Sequence, residues 1–125
     1  MEKDQEKSSF MQSLAQAGNG LNYAWKTQGH MRFHGFAAVV VLLCAWWLKL
    51  SVFKWLILIY AIGSVITAET FNTAIEVTVD LAQPNFHPMA GIAKDVAAGA
   101  VVITAIQAVI IGLIIFIPEI VRVMF

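Results

Sequence analysis

Apolar positions in this chain follow two rhythms, one after the other. Phe10, Leu14, Ala17, Leu21 and Trp25 recur at three- and four-residue steps, with Gln12, Gln16, Asn19 and Asn22 between them. That period predicts an amphipathic helix over 10–27, and with spans behind it the natural resting place is the membrane surface. Downstream the alternation gives way to three nearly unbroken apolar runs, Phe33–Leu48, Trp55–Val79 and Val96–Pro118. A transmembrane helix needs about 17–25 residues, so the second and third runs suffice as they stand. The first reaches that length if its helix starts upstream, near Met31. The pattern predicts an all-α integral membrane protein with three transmembrane helices and an N-terminal surface helix.

The breaks between these segments set the boundaries. Met1–Ser9 mixes charges in Glu2, Lys3, Asp4, Glu6 and Lys7, unlike a signal peptide, and is expected to be a flexible tail. The surface helix occupies 10–27 and the membrane domain 28–125. Gly18 and Gly20 each weaken a helix by about 1 kcal/mol relative to alanine, so a bend or a close contact is expected there. Trp46, Trp47 and Trp55 flank the Lys49–Lys54 turn, and tryptophans at headgroup level act as anchors. The segment from Ala82 to Pro88 carries two prolines and an asparagine and should break the helix, with the third span beginning near Ala90. Ala93, Ala97, Ala100 and Thr104 share a face suited to close helix packing. Pro118 is expected to end or bend the last span.

Composition narrows the class. Hydrophobic residues make up 59% of the chain, charged residues 13%, and mean hydropathy is +0.75, which excludes an ordinary soluble enzyme. The polar segments are too short to hold a soluble domain. Neither Gly-x-x-x-x-Gly-Lys nor Gly-x-Gly-x-x-Gly occurs. With zero net charge and no basic run, no nucleic acid partner is expected. Lys3, Lys7, Lys26, Arg32 and Lys94 fall on one side of the spans, and Lys49, Lys54 and Arg122 on the other. That asymmetry favours a cytoplasmic N-terminus. Cys44, the single cysteine, is expected to be a buried thiol in the first span.

Candidate chemistry sits where it is most costly. Glu69, Asn72, Glu76 and Asp80 lie at the inner end of the second run, and at 100° per residue they fall within an arc of about 80° on one helix face. Ionisable groups at the bilayer centre cost on the order of 2.5–3.5 kcal/mol each, so such a stripe points to function. Carboxylate oxygens suit a hard cation such as Mg2+, and one of them suits a general base. Lys94, beside Asp95 across the short loop, could bind phosphate or neutralise the acids. Enzymatic work, proton or cation transport through a small oligomer, and a buried ion-pair network all remain open on these residues. Three helices cannot shield a polar site from lipid unaided, so an oligomer with its site between protomers is expected. His30 and His34 stand at i, i+4, but without the glutamate of a His-Glu-x-x-His site they read as interfacial or packing residues.

Glu69-Thr-Phe-Asn72-Thr-Ala-Ile-Glu76-Val-Thr-Val-Asp80 resembles the signature Glu-x-x-Asn-x-x-Ile-Glu-x-x-Val-Asp of the small prokaryotic diacylglycerol kinase family. The segment from Ala93 through Lys94 and Asp95 to Ala100 is similar to that family's second motif, and His87-Pro88 with Ile92–Asp95 resembles its undecaprenol kinase branch. The likeness covers roughly Phe10 to Pro118. It implies a homotrimeric membrane lipid kinase of the bacterial cytoplasmic membrane, with sites shared between neighbouring protomers and MgATP as phosphoryl donor. Carried over by position, Glu69 is the general base, Asn72 places the lipid hydroxyl, and Glu76 holds Mg2+ on the phosphates. Asp80, Lys94 and Asp95 then join Glu76 in the nucleotide site.

One position departs from the family. There a glutamate on the first helix is a second metal ligand, in a pattern like Glu-x-Asn-x-x-x-His, whereas this chain reads Gln28-Gly-His30-Met-Arg-Phe-His34. Gln28 offers a carbonyl oxygen without negative charge, so weaker Mg2+ binding is expected. The branch resemblance favours undecaprenol as acceptor over diacylglycerol, and transport is the rival from another class.

Overall fold

The computed structural model describes residues 2–125, with side chains described from residue 9 onward. Four helices follow in order: α1 (Glu2–Thr27), α2 (Gly29–Trp47), α3 (Val52–Ala82) and α4 (Pro88–Met124). No strand occurs among the described residues. The last three helices are each long and apolar enough to cross a membrane. The tail expected over 1–9 lies mostly outside the described side chains, and its backbone is already helical from Glu2.

The helix ends follow from local chemistry. Gln28 alone separates α1 from α2, and its extended backbone (φ −104°, ψ 115°) breaks the helical path there. At the other end of α2, the Leu50 amide bonds the Ala45 carbonyl and the Lys49 amide bonds that of Trp46, both at 3.1 Å. This is a Schellman closure, and its apolar contact between Leu50 and Ala45 belongs to the core. Lys49 takes the left-handed conformation (φ 53°) that glycine usually supplies. His87 caps α4 by accepting the Met89 amide at Nδ1 (3.2 Å), and Pro88 fills a first-turn position where no amide partner is needed.

At 1.5 Å per residue, α2 is about 28 Å long, close to the hydrocarbon thickness, whereas α3 and α4 exceed it by roughly 15–25 Å. The excess carries their polar ends clear of the apolar layer. α3 pairs along α4 and α2 packs on α3, while α2 and α4 make no close backbone approach. The apolar core lies toward the Lys49–Lys54 turn, where Ala45, Leu48, Leu50, Leu58 and Ile115 meet. On the opposite half, the six-membered ring of Trp25 on α1 sits against Gly35 of α2. A β-carbon at Gly35 would come within 2.4 Å of its ring.

Several expectations change. Gly18 and Gly20 lie within an unbroken helix with nothing inside 4 Å of their missing side chains, so neither a bend nor a close contact accounts for them within the protomer. Cys44 is exposed on the outer face of α2 and not buried, because the bundle is only one helix deep there. Pro118 does not end α4, which continues to Met124. Proline deletes one backbone hydrogen bond, and the following turn is held from outside: Glu119 bonds Lys54 at the start of α3 and lies 2.6 Å from Arg122.

Candidate active site

The face of α3 that carries the acids points toward the α1–α2 junction, and burial falls steadily along it. Glu69 (2% exposed), Asn72 (8%) and Thr73 are buried, Glu76 is half-buried and Asp80 is exposed. The stripe therefore runs from the protein interior to its surface. From Glu69 to Asp80 it covers about 16 Å of helix.

Each member finds a different partner. Glu76 is clamped from two sides: Asn72 Nδ2 donates to Oε1 at 3.0 Å, and Gln28 Nε2 donates to Oε2 at 3.1 Å. Gln28 reaches it because the break between α1 and α2 falls at that residue. Lys94, in the second turn of α4, approaches Asp80 Oδ1 at 2.5 Å. The short loop after α3 brings the two sequence motifs together in this ion pair. Asp95 stays exposed beside it. His34 Nε2 lies 3.3 Å from Glu69 Oε1, inside ion-pair distance though not aligned as a hydrogen bond.

Two buried acceptors, Glu69 Oε1 and Asn72 Oδ1, have no hydrogen-bond partner. An unsatisfied buried acceptor costs about 1–3 kcal/mol, so these atoms are where a bound group would gain most. The Thr73 hydroxyl does not help Glu69, since it donates to that residue's backbone carbonyl at 2.8 Å.

The contacts link most of the residues singled out from the sequence in separate small sets. Gln28, Asn72 and Glu76 are joined by hydrogen bonds, Asp80 and Lys94 by an ion pair, and Glu69 faces His34; Asp95 is exposed next to Lys94 in sequence. The arrangement also changes one reading. His34, taken as an interfacial or packing residue, faces the most buried acid; its i, i+4 partner His30 is exposed and does not. Within one chain, α2 and the end of α1 lie over the part of α3 that carries Glu69 and Asn72. Only the Glu76–Asp80–Lys94 end is open to completion by another chain. The Lys54–Glu119–Arg122 cluster at the far end was missed altogether. The signal was present: Glu119 is the only acid after Asp95 and follows an apolar run.

Among the described residues, no three His, Cys, Asp or Glu side chains converge as a ready-made metal cage. Glu76 offers a carboxylate of the kind Mg2+ takes, and Gln28, whose amide nitrogen faces it here, carries an oxygen on the same group. That ion takes hard oxygen donors and typically uses one or two carboxylates, with phosphate and water completing its shell.

Three spanning helices with a carboxylate and lysine site at one polar end define a multi-pass membrane protein working at the lipid boundary. The sequence model for prokaryotic diacylglycerol kinase matches residues 15–116. An undecaprenol kinase from Bacillus subtilis is 43% identical over 114 residues, covering 91% of this chain and 93% of that protein. Diacylglycerol kinases from Synechocystis and Escherichia coli are 38% and 33% identical, covering 93% and 82% of this chain and 67% and 87% of their own lengths. The chain belongs to the prokaryotic diacylglycerol kinase family and is a lipid kinase. Family membership decides between the enzymatic and transport readings that the acidic stripe alone left open.

Proposed function

We propose that this enzyme transfers the γ-phosphoryl group of ATP to the hydroxyl of undecaprenol. The observation that carries the reading is Glu69, a buried carboxylate at the inner end of a stripe that reaches the protein surface at Asp80. A lipid alcohol arrives from the membrane and a nucleotide from the aqueous side, so their reacting atoms meet between those two ends. The identity of 43% to the Bacillus subtilis undecaprenol kinase supports undecaprenol as the acceptor, as does the His87–Asp95 segment.

In this reading Glu69 takes the hydroxyl proton as the new oxygen–phosphorus bond forms and ADP departs. Asn72, whose Oδ1 is free of other bonds, orients the hydroxyl. Lys94 and Asp80 position the phosphates, with Asp95 beside them. Glu76 and the amide oxygen of Gln28 would hold Mg2+, which neutralises phosphate charge when bound. Phosphoryl transfer needs mainly positioning and charge neutralisation, and these side chains offer both. The protein works as a homotrimer in the bacterial cytoplasmic membrane, with α1 along the inner surface, the N-terminus cytoplasmic, and the nucleotide end completed by a neighbour.

The test is transfer of labelled phosphate from MgATP to a panel of polyprenols and diacylglycerols in mixed micelles. Undecaprenol should be the better acceptor, and equal or better use of diacylglycerol would reverse the assignment. In the same assay Glu69→Gln should lower turnover by roughly 10²–10⁴-fold, the usual contribution of a general base.

A further inference from the structure

Two features of α2 have no part in the roles above: His34, and the apolar groove it heads. The groove, of about 710 Å3, runs between α2 and α4 over α3, and every side chain lining it except His34 is apolar. His34 is thus the point where hydrocarbon-lined space meets the acidic stripe, with Nε2 3.3 Å from Glu69 Oε1. No other side chain among the described residues supports that carboxylate. The amide of Asn72 is committed to Glu76, and the hydroxyl of Thr73 to a backbone carbonyl. A carboxylate removed from water stays charged at acceptable cost only with a donor or cation beside it.

We propose that His34 is the positioning residue of Glu69. Its Nε2–H holds Oε1, which fixes the carboxylate plane and leaves Oε2 facing the acceptor hydroxyl. The proposal rests on the reading of Glu69 as the base. The hydroxyl proton passes to Glu69 Oε2, while His34 keeps its own proton and serves only to orient. The ring of Phe33 stands edge-on to the imidazole, with centroids 5.5 Å apart and planes at 74°, which limits its rotation. A separation of 3.3 Å is long for a working hydrogen bond, but such bonds are often loose without substrate and tighten when the reacting group binds.

The experiment compares His34→Gln with His34→Met at saturating undecaprenol and MgATP. The two replacements are similar in length and differ in whether a donor reaches Glu69. His34→Met should lose roughly 10- to 100-fold in kcat, the scale expected for a misplaced catalytic group, with KM for ATP unchanged. His34→Gln should keep most of the activity. Equal kcat for the two variants, whether high or low, overturns the proposal, because a packing role depends on volume and not on the donor. Glu69→Gln, run alongside, separates the two ideas. If it is inactive while the His34 variants match, His34 has no such role and the base assignment stands. If it is active, the base assignment falls and the role of His34 falls with it.

Discussion

Gln28 occupies the point where two helices meet and reaches the carboxylate read as the metal ligand. Its amide donates to Glu76, so this pair is a satisfied hydrogen bond. A glutamate there would set two negative charges side by side and raise the affinity for a cation. Gln28→Glu should therefore shift the Mg2+ titration of activity to lower concentration, and it should increase the thermal stabilisation that Mg2+ gives. An unchanged titration would separate Gln28 from the metal. The same residue shows how much was readable beforehand. Its kinship to a metal-ligand position was visible from the neighbouring His34, but its bond to Glu76 needed the α1–α2 break, which no local signal specified.

At the scale of helices, the turns and ends carry the testable energetics. Lys49 holds a left-handed conformation that costs a residue with a side chain about 1 kcal/mol. Lys49→Gly should stabilise the protein by about that amount in detergent unfolding, provided the Schellman bonds to Ala45 and Trp46 persist. The Lys54–Glu119–Arg122 cluster ties the start of α3 to the end of α4. Glu119 is 8% exposed. Glu119→Ala should lower the unfolding midpoint while leaving ATP affinity untouched, since the cluster lies at the far end of the bundle from Glu76. At Gly35 the reason for glycine is contact with a neighbouring helix. Gly35→Ala should push the Trp25 ring off α2, measurable as increased protease access to α1.

For the whole molecule, three helices long and apolar enough to span a membrane leave large apolar faces, as lipid contact or subunit contact requires. The buried half of the site, Glu69 and Asn72, is covered within one chain. The outer half, Glu76 with Asp80 and Lys94, is open. The sharing proposed above would concern the Glu76–Lys94 end, and mixing inactive variants tests it. A Glu69→Gln protomer combined with a Lys94→Ala protomer should recover part of the wild-type turnover if Lys94 serves a neighbour's Glu69. No recovery in mixed oligomers would confine each site to its own chain.

The chain order of polar and apolar positions determined the helical class, the spans and the common face of Glu69, Asn72, Glu76 and Asp80, because helix period and hydrocarbon thickness are set locally. It also carried the motifs that mark the family. Which partner each acid meets was decided only by packing: His34 against Glu69, Gln28 against Glu76, Lys94 against Asp80 and Lys54 against Glu119. The residues of these pairs are 14 to 65 positions apart. Helix periodicity does not extend across a turn, so the rotation and height of one helix against the next are set by side-chain fit.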